Sequence, residues 1–149
     1  MLNAIQLSND SMKNGGGPFG AVIVKNGKIV STASNSVTND NDPTAHAEVN
    51  AIRKACKKLG TFNLAGCTIY TSCEPCPMCL SAIYWAHIDR VFYGNSKTDA
   101  GNYGFDDSFI YSEIELPIEK RKIVFKQLLP DEAIKTFKNW NSLEGKIEY

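Results

Sequence analysis

Histidine is scarce in this sequence: among 149 residues only His46 and His87 offer an imidazole. A surplus of charge is also lacking, since Lys+Arg and Asp+Glu balance at 16 each. Neutralising phosphates needs a face rich in Lys and Arg, so this balance gives no support to a nucleic-acid partner. The densest basic run, Lys120-Arg121-Lys122 with Lys126, follows Glu113, Glu115 and Glu119 and reads as a solvated face. No apolar run is long enough to span a bilayer. Residues 1–12 mix polar and apolar side chains without the basic start and apolar stretch of a secretory leader. No repeat, low-complexity segment or linker divides the chain. These absences predict one domain over residues 1–149, a cytoplasmic location and no membrane partner.

What is present is a cysteine cluster. The five cysteines are Cys56, Cys67, Cys73, Cys76 and Cys79, an odd number with three inside one short segment. In a reducing compartment such clustered thiols bind metal more readily than they pair.

The pattern of apolar residues and breakers predicts the elements around them. Met1–Lys13 reads as a short amphipathic helix with Leu2, Ile5 and Met12 as its apolar points. Asn14 to Pro18 breaks it. Phe19–Val24 and Ile29–Ala33 read as strands joined by a hairpin at Lys25–Lys28, because Asn26-Gly27 tolerates positive φ. Asn35–Pro43 is polar loop. A helix follows over Thr44–Leu59, with Val49, Ile52, Cys56 and Leu59 on one face, and Gly60 stops it. Cys67–Thr71 is a strand, and Cys76–His87 a helix entered through Pro75. Arg90–Tyr93 is a strand, and Gly94–Gly104 a glycine-bearing loop. Asp106–Tyr111 opens a helix, Ile123–Leu128 is a last strand and Asp131–Trp140 a last helix. Strands alternating with helices predict an α/β sheet covered on both faces.

The chemistry concentrates in His46-Ala47-Glu48 and Pro75-Cys76-Pro77-Met78-Cys79, the H-x-E…P-C-x-x-C pattern of zinc deaminases. Cys76 and Cys79 are i and i+3, so they share a helix face. They lie in a first helical turn, where unpaired N–H groups and the helix dipole favour thiolates. One imidazole and two thiolates make three ligands and leave the fourth tetrahedral position to water, an open catalytic arrangement. Glu48 is then the proton carrier. Residues i and i+2 share no face of a regular helix, so His46 and Glu48 can cooperate only at a helix entry. A closed Cys67/Cys73/Cys76/Cys79 site is the rival, but it leaves His46, Glu48 and Pro75 without roles. Cys56 and Cys67 read as core residues and Cys73 as a packing residue. His87 reads as a cation at a helix C-terminus.

The chain resembles the small bacterial guanine deaminases of the cytidine-deaminase fold. The matching stretches are Gly16–Val24, Asn41–Glu48, Ala51–Cys56, Tyr70–Cys79, Ala82–Ala86, Gly104–Tyr111 and the closing Glu148-Tyr149. The zinc motif is shared with cytosine, cytidine and tRNA adenosine deaminases; the Phe105-Asp-Asp-Ser-Phe109 stretch and the terminal tyrosine point to the guanine branch. The resemblance implies a three-layer α/β/α fold around a mixed five-stranded sheet, and hydrolysis of guanine to xanthine and ammonia with one Zn2+ per subunit. It also implies a purine site in which Asn35 hydrogen-bonds the ring through a donor and an acceptor together. Phe19 and Trp85 would wall the base, the Ala47 N–H would bind ring polar groups and Asp107 would contact the substrate edge. The C-terminal segment would be exchanged in a homodimer so that Tyr149 caps the partner's site. A tRNA adenosine deaminase, a cytosine or adenine deaminase and a non-enzymatic zinc-stabilised interaction domain are the alternatives. On the residues alone, Asn35 could cap a turn, Phe19 and Trp85 read rather as core or interface packing, and Asp107 could cap a helix.

Overall fold

The structure is a computed structural model that describes residues 1–148; Tyr149 lies outside the described residues. Residues Met1–Ser108 form one compact unit and the chain from Phe109 onward a second. Among the described residues no helix is long and apolar enough to cross a membrane.

The first unit runs α1 (Leu2–Lys13), β1 (Gly20–Lys25), β2 (Lys28–Ser34), α2 (Val37–Asp40), α3 (Ala47–Leu59), β3 (Cys67–Cys73), α4 (Pro77–Trp85), β4 (Arg90–Asn95) and α5 (Lys97–Asn102). The sheet order is β2-β1-β3-β4. β1 is antiparallel to both β2 and β3, while β3 and β4 are parallel and joined across α4. Hence β2, β3 and β4 all end on the edge where β1 begins. The register puts Gly20 opposite Ser34, Ala21 opposite Thr71 and Cys73 opposite Asn95. Residues just outside these ends therefore converge, which makes this edge the natural place for a site.

Strand alternation assigns the two faces. Ala21, Ile23, Cys67 and Ile69 share one core cluster with Ala47, Ala51 and Ala55 of α3 and Ile83 of α4. Gly20 faces α1 instead. A Cβ there would strike the Ala4 carbonyl and come within 2.7 Å of Leu7 Cβ and 2.8 Å of Ser8 N. This close approach corrects the expected face of α1: the buried residues are Ala4, Ser8 and Ser11, whereas Leu2 is 82% exposed and Ile5 and Met12 are also exposed. Small side chains win because α1 lies almost on the strand backbone. On α3 likewise the innermost stripe is Ala47-Ala51-Ala55, at i, i+4 and i+8, with Ile52 and Cys56 packed beside it and Leu59 exposed. Gly60, at φ 66, ends α3 as expected.

Two short helices, α2 and α5, occupy stretches that read as loop. α5 has a complete capping box, with the Ser96 hydroxyl accepting from Asp99 N and the Asp99 carboxylate accepting from Ser96 N.

The helix α6 (Ser108–Glu115) opens where one was expected, and α7 (Pro130–Asn141) also forms as expected. Between them the expected strand Ile123–Leu128 is absent, so the described sheet has four strands rather than five. A strand needs a neighbour to take its backbone hydrogen bonds. Among the described residues this stretch pairs with none, and its side chains stay exposed, Val124 at 90%. The basic run before it turns back on the preceding helix. Arg121 donates to the Ile114 and Leu116 carbonyls at 3.1 Å each, satisfying acceptors that the end of α6 leaves open.

Candidate metal centre and active site

The site begins with two helix caps. His46 is the N-cap of α3, in extended backbone (φ −70°, ψ 154°), and Cys76 is the N-cap of α4 (φ −64°, ψ 168°) with Pro77 in the first turn. The helix-entry geometry required of the His46/Glu48 pair is present. An extended cap points its side chain differently from a helical residue, so His46 and Glu48, two apart, turn toward one place. Cys79, one turn into α4 and fully buried, reaches the same place.

The distances test whether zinc fits. Ligands at roughly 2.05 Å (imidazole) and 2.3 Å (thiolate), held at a tetrahedral angle, stand about 3.6 Å apart. His46 Nδ1 lies 3.6 Å from Cys76 Sγ and 3.5 Å from Cys79 Sγ. All three donor atoms lie within 4.8 Å of one another. The set is therefore already at coordination spacing, with Nδ1 as the imidazole donor. Cys67 and Cys73 are not part of it. Cys67 is core, and the Cys73 thiol contacts the Ser96 carbonyl at 3.6 Å. Burial pushes Cys73 up to about 11, so it stays a neutral thiol.

Protonation shows the same demand for a cation. A hydrogen bond from Cys79 holds the Cys76 thiol down to about 4, with His46 helping. Cys79 is driven up because it keeps the shared proton and is buried. His46 is raised by its hydrogen bond to Cys76. Two sulfurs contest one proton beside an imidazole, and a divalent ion would displace that proton and leave both as thiolates.

Glu48 is 6% exposed, with Oε2 at 3.5 Å from Cys79 Sγ. Burial raises its carboxyl above the ordinary range. A carboxyl against the ligand set but outside it can move protons there. Ala47 is the first residue of α3, where N–H groups lack intrahelical acceptors.

Asn35 leaves the end of β2 on the same edge. Its Oδ1 accepts from Gly17 N (3.3 Å) and Val37 N (3.2 Å). The expected donor-plus-acceptor presentation is thus corrected: the acceptor is occupied, and Nδ2 is the group left to offer. The glycine run that reads as a helix breaker serves this contact. A Cβ on Gly16 would stand 2.5 Å from both the Asn35 carbonyl and Ser11 Oγ, and one on Gly17 would be 3.2 Å from the Asn35 side chain.

Phe19 precedes β1, and its carbonyl accepts from Asn35 N at 3.0 Å. Its ring meets Phe105 edge-to-face at 4.9 Å. Both line a cavity of about 590 Å³ with Cys73, Asn95 and Tyr103. Asp106 accepts from Ser108 N at 2.9 Å at the entry of α6. Burial raises Asp107, and the Cys76 charge raises it further, which puts it in the field of the ligand set. Trp85 is not brought in. It ends α4, about 9 Å along the axis from Cys79 at 1.5 Å per residue, and is 64% exposed over a surface cavity with Ser81 and Tyr84. Tyr149 lies outside the described residues. In the sequence Phe105 falls within a matching stretch but has no role in the cavity, and nothing there marks the Gly17 and Val37 amides, because main-chain donors have no residue-type signal.

The comparisons with known proteins accord with this geometry. Residues 1–95 match the family described as the cytidine and deoxycytidylate deaminase zinc-binding region. The guanine deaminase of Bacillus subtilis (strain 168) is 56% identical over 150 residues, spanning 100% of this chain and 96% of that protein. The X-ray structure of guanine deaminase from Bacillus subtilis superposes with a TM-score of 0.96 at 55% identity, covering 99% of this chain and 95% of that one. The tRNA-specific adenosine deaminase of Aquifex aeolicus is 44% identical over 90 residues, covering 60% of each chain.

Proposed function

We propose that this chain, which belongs to the cytidine and deoxycytidylate deaminase family, hydrolyses guanine to xanthine and ammonia. The observation that carries the choice of base is the extent of similarity. Identity to a guanine deaminase is 56% over the whole length of the chain, whereas a tRNA-specific adenosine deaminase of Buchnera aphidicola that matches 94% of it is 33% identical. The offered amide of Asn35 supports an oxopurine. A donor pairs with a ring carbonyl, and adenine carries an amino group where guanine has that oxygen.

His46, Cys76 and Cys79 hold one zinc. When bound, zinc lowers the pKa of a water it holds toward about 7 and so supplies hydroxide at neutral pH. Glu48 would take a proton from the attacking water and deliver it to the ring as the water oxygen bonds to C2. A second proton, from the new C2 hydroxyl, would pass through Glu48 to the exocyclic nitrogen as the C2–N bond breaks and ammonia leaves, so one water is consumed for each ammonia released. The Phe19 and Phe105 rings give the base apolar walls and exclude bulk water. The Ala47 N–H and the Asp107 carboxylate bind its polar edge. The reaction is expected in the cytoplasm, on the free base rather than on nucleic acid.

The assay is ammonia release. The zinc-loaded protein should release it from guanine and not from cytosine, adenine, guanosine or tRNA. Release from tRNA or adenine instead would replace this reading with one of the alternatives.

We further propose a homodimer in which the C-terminal segment is exchanged. From Phe109 to Glu148 no residue is buried, although Ile123, Val124, Leu128, Leu129 and Phe137 lie in this stretch. A segment that rich in apolar side chains needs a surface to cover them. Deleting Gly145–Tyr149 should leave zinc in place and lower kcat/KM about tenfold or more, the worth of one contact of about 1.4 kcal/mol. Unchanged turnover would refute a capping role for the tail.

A further inference from the structure

We propose that Asn50, whose side chain reaches neither a metal-ligating atom nor the cavity, is a positioning residue that fixes the Asn35 donor relative to His46. The loop from Ser36 to Ala45 separates these two groups, and its neck is closed by Ser36 N donating to the Ala45 carbonyl at 3.0 Å. The Asn50 side chain lies across that neck. Its Nδ2 reaches the Ser34 carbonyl (3.2 Å), Ser36 Oγ (3.0 Å) and the Ala45 carbonyl (3.2 Å). Ser34 and Ser36 flank Asn35, and Ala45 precedes His46. One amide group therefore grips the chain on both sides of the base-binding residue and next to the metal ligand.

The chemistry at this position is specific. Three acceptors converge on two N–H protons, so the site requires a donor and rejects an acceptor. Ser36 Oγ in turn donates to Asp40, which fixes it as an acceptor toward Asn50. The backbone N–H of Asn50 donates to the His46 carbonyl at 2.9 Å, so the grip is built on the first turn of α3 itself. His46 has a second anchor in the two cysteines and the ion they would share. Asn35 is held from the side of α1, the glycine run and β1, by Ser11, Gly17 and Phe19, so the neck is what ties it to His46. Loosening the neck should therefore leave the metal centre in place and let the Asn35 donor drift.

This inference rests on Asn35 contacting the base. Asn50→Asp keeps the shape but turns an acceptor toward the Ser34 and Ala45 carbonyls. It should raise KM for guanine and weaken xanthine binding by calorimetry about tenfold, the scale of one or two lost hydrogen bonds, with smaller loss in kcat and one zinc per chain retained. In an Asn35→Ala background the same substitution should cost xanthine affinity little, because the group it positions is gone. A merely structural role would give equal losses in both backgrounds, tracking the fall in Tm, and would overturn the proposal. Should Asn50→Asp fail to fold, Asn50→Ala, which removes the donor without adding an acceptor, carries the same cycle; wild-type affinity in it would equally overturn the proposal. A wild-type protein that neither binds xanthine nor deaminates guanine overturns the base reading together with this one, whereas an active wild type with an indifferent Asn50 overturns only this one.

Discussion

Replacing Glu48 with glutamine should lower kcat by about 10²–10⁴-fold, the usual worth of a positioned general acid–base, with one zinc per chain still bound. Glutamine keeps the size and the hydrogen-bonding outline of the carboxylate and removes only its capacity to take and return a proton. The metal should stay because His46, Cys76 and Cys79 are at coordination spacing by themselves, with Glu48 beside them at 3.5 Å from Cys79 Sγ. Affinity for xanthine should change much less than kcat, since binding is assigned to Asn35, Ala47 and Asp107. Steady-state kinetics together with metal analysis of the same preparation checks this. Turnover close to wild type would remove Glu48 from the mechanism, and zinc lost with it would make it a ligand.

The second large effect is on the metal centre. Cys79→Ser should drop zinc well below one per chain and abolish ammonia release. Serine is a hard, weakly acidic donor that does not replace a thiolate at zinc. Stability should fall as well, because an ion bound only by the folded chain stabilises it by mass action. At a free zinc concentration a thousand times the dissociation constant that contribution is about 4 kcal/mol. At roughly 2–4 °C per kcal/mol for a chain of this size, removing the ion with a strong chelator should lower Tm by about 10 °C. Readdition of zinc should restore both Tm and turnover. The ion ties the entry of α3 to the entry of α4, two elements whose caps have no side-chain hydrogen bond of their own. A chelated protein with unchanged Tm and turnover would exclude a metal at this site.

Much of the centre was legible because its residues act through type and spacing. A lone histidine two before a glutamate, and two cysteines three apart after a proline, specify donors and a proton carrier wherever the chain brings them. The hairpin at Asn26-Gly27 and the stop at Gly60 were legible for a related reason: their backbones sit at positive φ, which few residues tolerate. The buried face of α1 was not legible. Its apolar residues pointed to Leu2, Ile5 and Met12, but the distance between helix and sheet is set by Gly20, and at that distance only Ala4, Ser8 and Ser11 fit.

The sequence by itself determined the ligands, the proton carrier, the alternation of strands and helices and the family to which these belong. Each of these depends on side-chain chemistry or on short-range periodicity. Tertiary structure decided that the Asn35 acceptor is consumed by Gly17 and Val37 and that Ser108 N at the entry of α6 donates to Asp106. It also decided that Ile123–Leu128 is no strand in a single chain. The physical reason is common to all three. Each depends on which backbone group or neighbouring strand lies within hydrogen-bonding reach, and that is a property of the folded arrangement rather than of any residue.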